Sequence, residues 1–133
     1  MTYLLDTDTC IYWIKNIESV RKKVKEIGWD QICICSVTIA ELYFGAYNSQ
    51  RVSENLNRAE HFIQNITVIS LDNNTLKTFG KLKAELRKTG QPVAEFDLLI
   101  ASVALTRNYI LVTNNTRHYS RITGLNLENW TLS

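Results

Sequence analysis

The sequence predicts an α/β domain in which a mostly parallel, twisted β-sheet carries α-helices on both faces. Short apolar runs with strand character alternate along the chain with stretches of helical length, which is the pattern of such a sheet. With 133 residues, 45% of them hydrophobic and 21% charged, the chain has the size and composition of one globular domain. We therefore expect a single domain over residues 1–133.

The first strand and the first helix are predicted on either side of Asp6. Residues 3–5 are apolar and end at this carboxylate, and the cap-type residues 7–9 precede an apolar helical stretch over 10–14. A second helix is predicted over 17–27, where apolar residues alternate with lysine and arginine to give one apolar and one charged face. Asp6 thus lies at the carboxyl end of a strand.

A second strand followed by a helix comes next in the chain. Residues 31–35 are strand-like, and Ser36 can cap the apolar helical stretch 37–46. Glu41 lies inside this apolar helix. A glutamate alone at such a position is explained equally well by its helix propensity and by a side chain that reaches water. Its role therefore depends on the other acidic residues.

The C-terminal half continues the alternation of strands and helices. The predicted elements are helices over 49–64, 75–88 and 95–105, strands over 66–69 and 109–113, the polar loop 114–119 and a short closing segment over 125–130. A turn or cap at 71–73 precedes the second of these helices, and Gly90 follows its end.

Asp97 is a carboxylate in the most apolar part of the helical pattern 95–105. An unpaired carboxylate among buried aliphatic side chains is strongly unfavourable, so Asp97 needs a cation, strong hydrogen-bond donors or water beside it. Considered alone, an aspartate at the start of a helix is more often an N-cap than a metal ligand. Asp6 and Glu41 decide between these two interpretations.

Bulk properties limit the functional classes. The formal net charge of +2 is too small to indicate nucleic-acid binding, although it leaves room for a local basic patch. No apolar run approaches the ~20 residues of a membrane span, and residues 1–6 lack the pattern of a secretory signal. We therefore expect a cytoplasmic protein without membrane association. The cysteines, Cys10, Cys33 and Cys35, lack the spacing of a zinc site and are interpreted as reduced core thiols.

Three acidic residues are predicted to meet at one edge of the sheet. Asp6 ends the first strand, Glu41 lies on the helix after the second, and Asp97 opens the helix before the strand 109–113. Sites in parallel sheets form outside the carboxyl ends of the strands. Carboxylates that lie close together repel each other unless a cation intervenes, and Mg²⁺ prefers such oxygen ligands. The sequence therefore predicts a hydrated metal site, with the polar residues 113–115 placed to orient a ligand or a metal-bound water.

Metal-assisted hydrolysis is the chemistry that this residue set favours. The predicted site contains no histidine base, no activated serine or cysteine nucleophile and no glycine-rich phosphate loop. Phosphodiesters suit it best, because a divalent cation lowers the pKa of a bound water and neutralises charge on the phosphate.

Four motifs carry a family resemblance that runs across essentially the whole chain. They are LLDTD at 4–8, SVTIAELYFGA at 36–46, GQP at 90–92 with FDLLIA at 96–101, and LVTNNTRHY at 111–119 with GL at 124–125 and ENW at 128–130. In this order they resemble the motifs of PIN-domain ribonucleases, specifically the VapC toxins of VapBC toxin–antitoxin pairs. The resemblance implies a PIN-like fold and a Mg²⁺-dependent endoribonuclease toxin that hydrolyses phosphodiester bonds in structured RNA, with tRNA the expected class.

The resemblance also assigns roles to the site residues. Asp6 and Asp97 would bind Mg²⁺ directly, with Mn²⁺ as a possible substitute, and Glu41 would hold a metal-bound water or assist a second ion. Thr113 and Asn115 would orient the site.

The chain departs from the family pattern in one respect. Many relatives place a fourth acid after Thr113, at the position of Asn115 or of His118, and this chain has a carboxylate at neither. The site then holds one metal ion rather than two, or Asp8 or Glu95 supplies the extra acid. Each of these two also has a structural interpretation, Asp8 as an N-cap and Glu95 as a first-turn residue favourable to the helix dipole.

The implied partners are RNA, a second copy of the chain in a homodimer, and a cognate VapB-like antitoxin whose C-terminal segment occupies the acidic groove. A basic antitoxin side chain can pair with the carboxylates and displace the metal. Two alternatives stay open. The chain is a catalytically weak PIN-like module that binds RNA or protein, or it is a metal-independent α/β binding domain whose carboxylates are helix caps.

Overall fold

The computed structural model describes residues 1–132, and a five-stranded parallel sheet lies at its centre. The strands within these residues are β1 (Tyr3–Leu5), β2 (Ile32–Cys35), β3 (Thr67–Ile69), β4 (Ile110–Val112) and β5 (Leu127–Glu128). Their order across the sheet is β3-β2-β1-β4-β5, and each neighbouring pair is parallel. The fold class predicted from the sequence is confirmed.

The helices lie mainly between the strands, as the alternating pattern predicts. Within residues 1–132 they are α1 (Thr7–Ile14), α2 (Glu18–Ile27), α3 (Ser36–Tyr47), α4 (Val52–Gln64), α5 (Asn73–Lys88), α6 (Glu95–Arg107) and α7 (Thr116–Tyr119), with one 3-10 turn at Trp29–Gln31. In this part of the chain no helix has both the length and the apolar character needed to cross a membrane.

Helix capping explains where the helix starts differ from the predicted ones. α1 begins at Thr7 because the Asp6 carboxylate accepts a hydrogen bond from the Thr7 N–H and caps the helix, so the cap-type residues after Asp6 are helical. α3 begins at Ser36, and its N-cap is Cys35, so the prediction of Ser36 as the cap is wrong. Asp72, in the predicted turn, does cap α5.

Two hydrophobic clusters form the core, one on each face of the sheet. Successive residues of a strand point to opposite faces, so Leu4 belongs to one cluster and Leu5 to the other. Helices α5 and α6 cover the Leu4 face, and helices α1 to α4 cover most of the Leu5 face. The buried helix residues that show this are Leu86, Leu98 and Ile100 on the first face and Cys10, Val20, Leu42 and Phe62 on the second.

Two C-terminal elements were not predicted from the sequence. The predicted polar loop 114–119 contains α7, and the closing segment 125–130 contains the edge strand β5. β5 is tied to the end of β4, where the Thr113 N–H donates to the Glu128 carbonyl at 2.9 Å. Elements of two and four residues are too short to show a hydrophobic period in the sequence.

Trp130 anchors this C-terminal segment, and we expect Trp130→Ala to lower the free energy of unfolding by about 3–5 kcal/mol, because it leaves a large cavity. The Trp130 side chain is 1% exposed, packs against Tyr3 and donates from Nε1 to the Glu128 carboxylate at 3.0 Å. Urea denaturation measures the change. Trp29, which is 49% exposed, provides the control Trp29→Ala. An equal loss in the two variants would contradict the anchoring role.

Candidate active site

The predicted acidic site lies at the carboxyl edge of the sheet, where β1 and β4 end side by side. Leu5 is paired with Val112, and the Asp6 N–H donates to the Val112 carbonyl at 2.9 Å. The residues that follow the two strands, Asp6 and Thr113, are therefore neighbours in space although 107 positions separate them in the chain.

Hydrogen bonds hold both oxygens of the Asp6 carboxylate. Oδ1 accepts from the Thr7 N–H at 2.9 Å, and Oδ2 accepts from the Thr113 hydroxyl at 2.8 Å. Asp6 is 6% exposed and Thr113 is fully buried. The α1 backbone and the strand register thus fix this carboxylate at two points.

The pKa of Asp6 is raised from 3.8 to about 7, chiefly because burial disfavours the charged form. The negative charge of Asp8 adds to the rise, and that of Asp97 adds a smaller part. The hydrogen bonds from Thr113 and Thr7 act in the opposite direction without cancelling it. Among the described residues, the salt bridges of lysine and arginine all involve other carboxylates. Asp6 is therefore a buried carboxylate with like charges as its ionic neighbours.

Asp8 belongs to the same cluster. Its Oδ2 accepts from the Asn114 N–H at 3.0 Å and lies 3.4 Å from the Thr113 hydroxyl oxygen, and its Oδ1 accepts from the Thr9 N–H at 2.6 Å. Asp8 lies in the first turn of α1, so its interpretation as an N-cap is wrong. It joins α1 to the loop after β4.

Glu41 reaches the cluster through Thr7. The Thr7 hydroxyl donates to Glu41 Oε1 at 2.5 Å, and the N–H of the same residue donates to Asp6. The hydroxyl of Thr38, one turn before Glu41 on α3, lies 3.2 Å from the Thr7 hydroxyl. The connection of Glu41 to Asp6 is therefore indirect, and the Glu41 side chain remains half-buried.

Asp97 lies in the first turn of α6 and is not its N-cap. The helix begins at Glu95, and its N-cap is Ala94, so the capping interpretation of Asp97 is wrong. The half-buried Asp97 carboxylate has its Oδ2 3.2 Å from His118 Nε2 of α7, although the geometry of this contact is not that of a hydrogen bond. The effect of its charge on the pKa of Asp6 places Asp97 in the same cluster.

Of the two other acids considered for the site, the structure brings Asp8 into the cluster and leaves Glu95 outside it. Glu95 is exposed at the start of α6 and forms an ion pair with Lys83 of α5. A neighbour in the sequence is therefore a poor guide here, because residues two apart on a helix point in different directions.

Asn115 contacts the site through its backbone. Its N–H donates to the Thr113 hydroxyl oxygen at 3.0 Å, and its carbonyl accepts from the His118 N–H at 3.1 Å as α7 begins. The side chain of Asn115 is exposed. The contacts of this residue thus organise the loop that connects Thr113 to α7.

Tyr119 is a site residue that the sequence pattern did not reveal. Its side chain is fully buried in the Leu4 cluster, and its hydroxyl has no hydrogen-bond partner of normal geometry among the described residues. Burial, together with the charges of Asp6 and Asp97, raises the pKa of this hydroxyl. A tyrosine at the end of a polar loop looks like an ordinary core residue, and its place beside His118 in the last motif is the only sequence signal.

The residues present fit a divalent cation that keeps most of its water ligands. Within residues 1–132, no three side chains of His, Cys, Asp and Glu form a ready-made metal cage. Mg²⁺ is usually bound through one or two carboxylates and retains several waters. The buried Asp6, which lacks a positive partner in a lysine or arginine, and the nearby Asp97 match this requirement.

The three cysteines belong to the core. All are free and buried, and burial raises the pKa of each thiol. The prediction of core thiols is confirmed.

Comparison with known proteins shows similarity over nearly the whole chain. A family model described as PIN domain matches residues 3–125. The tRNA(fMet)-specific endonuclease VapC of Shigella flexneri is 39% identical over 130 residues, which cover 98% of each chain. Among solved structures, DNA-bound VapBC from Salmonella typhimurium is 37% identical with a TM-score of 0.91 over 98% of each chain. VapBC2 from Rickettsia felis, bound to a DNA fragment from its promoter, is 34% identical with a TM-score of 0.90 over 98% of this chain and 99% of that one.

The raised pKa of Asp6 predicts a pH-dependent stability for the metal-free protein. Between the unfolded value of 3.8 and the folded value of about 7, the folded state binds more protons than the unfolded state. The free energy of unfolding should therefore fall as the pH rises from 4 to 7, by on the order of 2–4 kcal/mol. Urea denaturation in the presence of a chelator measures this slope. Asp6→Asn should remove the Asp6 part of it, and an unchanged slope in that variant would show that other groups cause the dependence.

Proposed function

The chain belongs to the VapC family of PIN-domain ribonucleases, and from this membership we propose that it is a Mg²⁺-dependent endoribonuclease toxin, neutralised by a VapB-like antitoxin. The proposed substrate is structured RNA of the tRNA class, and initiator tRNA is the first to test because the Shigella flexneri relative bears that specificity in its name. The observation that carries the proposal is the buried Asp6 carboxylate, whose pKa is raised and whose ionic neighbours are themselves acidic.

PIN nucleases in general depend on divalent metal ions. We propose that Asp6 and Asp97 bind Mg²⁺ directly, with Mn²⁺ as a substitute, and that Glu41 binds through a water. A cation bound there would activate a water as nucleophile and neutralise charge on the scissile phosphate. The half-buried Asp97 and Glu41 support this assignment, since both are accessible to a substrate at the sheet edge while Asp6 lies beneath them.

Thr113 and Asn115 are proposed as orienting residues. The Thr113 hydroxyl donates to Asp6 Oδ2 and so fixes the direction of that carboxylate. The Asn115 N–H donates to the same hydroxyl oxygen and thereby directs the hydroxyl proton towards Asp6. This chain of two hydrogen bonds pre-orients the acidic site.

Asp8 is proposed as the acid that replaces the one missing after Thr113. Its Oδ2 lies beside the Thr113 hydroxyl and its charge raises the pKa of Asp6, so it acts at the same cluster. Glu95 is paired with Lys83 instead. One observation favours the alternative of a catalytically weak module: the imidazole of His118 lies 3.2 Å from the Asp97 carboxylate, where a protonated ring would compete with a metal ion.

The antitoxin is proposed to bind along a groove between α1, α3 and α4. Glu41 lines this groove beside the apolar residues Ile11, Leu42 and Ala59. The solved relatives are VapBC complexes, which supports a VapB partner for this chain. A basic antitoxin side chain would pair with the carboxylates at the end of the groove. A co-crystal in which the antitoxin leaves these carboxylates open would reject this arrangement. The homodimer and the cytoplasmic location stay predictions.

Asp6→Asn and Asp97→Asn should each lower the rate of RNA cleavage by at least about 100-fold, because each removes a charged ligand whose effect appears in the transition state. The measurement is cleavage of purified tRNA by the purified full chain, with Mg²⁺ and then with EDTA. Circular dichroism and thermal melting check that the variants fold. Cleavage that persists in EDTA, or in folded Asp97→Asn, would contradict the proposal.

Two further variants identify the additional acid. Asp8→Asn should lower cleavage by about 10-fold or more, since outer carboxylates of a metal site commonly have effects of this size. Glu95→Gln is the matched control, because it changes an acid of the same motif region that is paired with Lys83 outside the cluster. Equal activity of the two variants would assign Asp8 a structural role.

A further inference from the structure

Tyr119 presents a hydroxyl in a place where the core offers it no ordinary partner. The side chain is 0% exposed and packs with Leu98 and Ala101 of α6 and Leu111 of β4. Buried tyrosine hydroxyls usually make a hydrogen bond, and within residues 1–132 this one makes none of normal geometry. A phenylalanine would fill the same space with apolar atoms alone, so the oxygen calls for a separate explanation.

The groups that face this hydroxyl are the carboxylates of Asp6 and Asp97. Both raise its pKa, through their charges and as hydrogen-bond acceptors for its neutral form. The three residues come from three different elements, since Asp6 follows β1, Asp97 lies in the first turn of α6 and Tyr119 ends α7. The hydroxyl is therefore aimed into the acidic cluster from the side of the core.

The hydrogen bonds already present leave room for this donor. Each Asp6 oxygen accepts one bond, from Thr7 or from Thr113, and a carboxylate oxygen can accept two. For Asp97, the contact with His118 involves Oδ2. Small side-chain rotations bring the hydroxyl within hydrogen-bonding distance of either carboxylate.

We propose that Tyr119 is a positioning residue of the metal site, whose hydroxyl donates its hydrogen bond to the facing carboxylates of Asp6 and Asp97 and holds them directed towards one shared divalent cation. The inference rests on the proposed function, because it assumes that these two carboxylates bind the cation. Groups that hydrogen-bond to metal-binding carboxylates orient them, and their loss commonly weakens metal affinity by about 10–100-fold.

The test is Mn²⁺ binding by the purified full chain and its Tyr119→Phe variant, measured by isothermal titration calorimetry without RNA. The variant removes one oxygen and keeps the packing. We expect its Kd for Mn²⁺ to rise by about 10-fold or more. Its melting temperature without metal should stay the same or rise, because the oxygen lost has no partner in the metal-free protein.

Tyr109→Phe is the matched control, since Tyr109 packs against the same cluster just before β4. Its Kd should equal that of the unmodified chain. A Kd for Tyr119→Phe within twofold of the unmodified chain would overturn the inference, and so would lower stability with unchanged affinity, which is the signature of a purely structural tyrosine.

Asp97→Asn separates this inference from the proposed function. If the unmodified chain binds Mn²⁺, Asp97→Asn loses binding and Tyr119→Phe retains it, the metal site stands and the role of Tyr119 is wrong. If the unmodified chain binds no Mn²⁺ at millimolar concentration, both proposals fail.

Discussion

The burial of the Asp6 carboxylate is the constraint on which the site depends. Its charged form is disfavoured by a nearly closed environment, and the negative charges of Asp8 and Asp97 increase the penalty. A carboxylate that only caps a helix needs one N–H donor and no acidic neighbours, whereas Asp6 has both the cap interaction and the neighbours. Capping therefore explains the direction of one oxygen but not the company that the residue keeps. A cation explains both, since it offsets the repulsion that the fold otherwise maintains.

Strand register delivers this arrangement. β1 is the middle strand of the sheet, with apolar clusters on both of its faces, so its end is among the best fixed points of the chain. β4 ends beside it and places Thr113 against Asp6, while β5 pairs with the Thr113 backbone from the other side. The first turn of α6 and the short α7 approach the same edge. The site thus assembles from distant segments, and each is held by packing or pairing outside the site.

The sequence predicts the long elements and the location of the site well, because their signals are local and repeated. Strands such as β2 are continuous apolar runs, helices such as α5 keep a regular apolar spacing, and the carboxyl edge follows from their alternation. Which group caps a helix depends on one backbone geometry, and so Asp97 and Ser36 were assigned wrongly. The hydroxyl of Tyr119 was invisible for another reason: its meaning depends on Asp6 and Asp97, which only the tertiary structure brings near it.

The missing fourth acid changes the distribution of charge in the site more than its position. Where many relatives carry a carboxylate at the position of His118, this chain has an imidazole beside Asp97. Asp8 supplies negative charge from the opposite side, through the first turn of α1 and the loop after β4. The acidic centre is therefore weighted towards β1 and Asp6, the most buried member of the set. A cation held there is more strongly desolvated on the protein side, which makes the orientation of Asp6 and Asp97 by neighbouring hydroxyls more important than in a site with carboxylates on all sides.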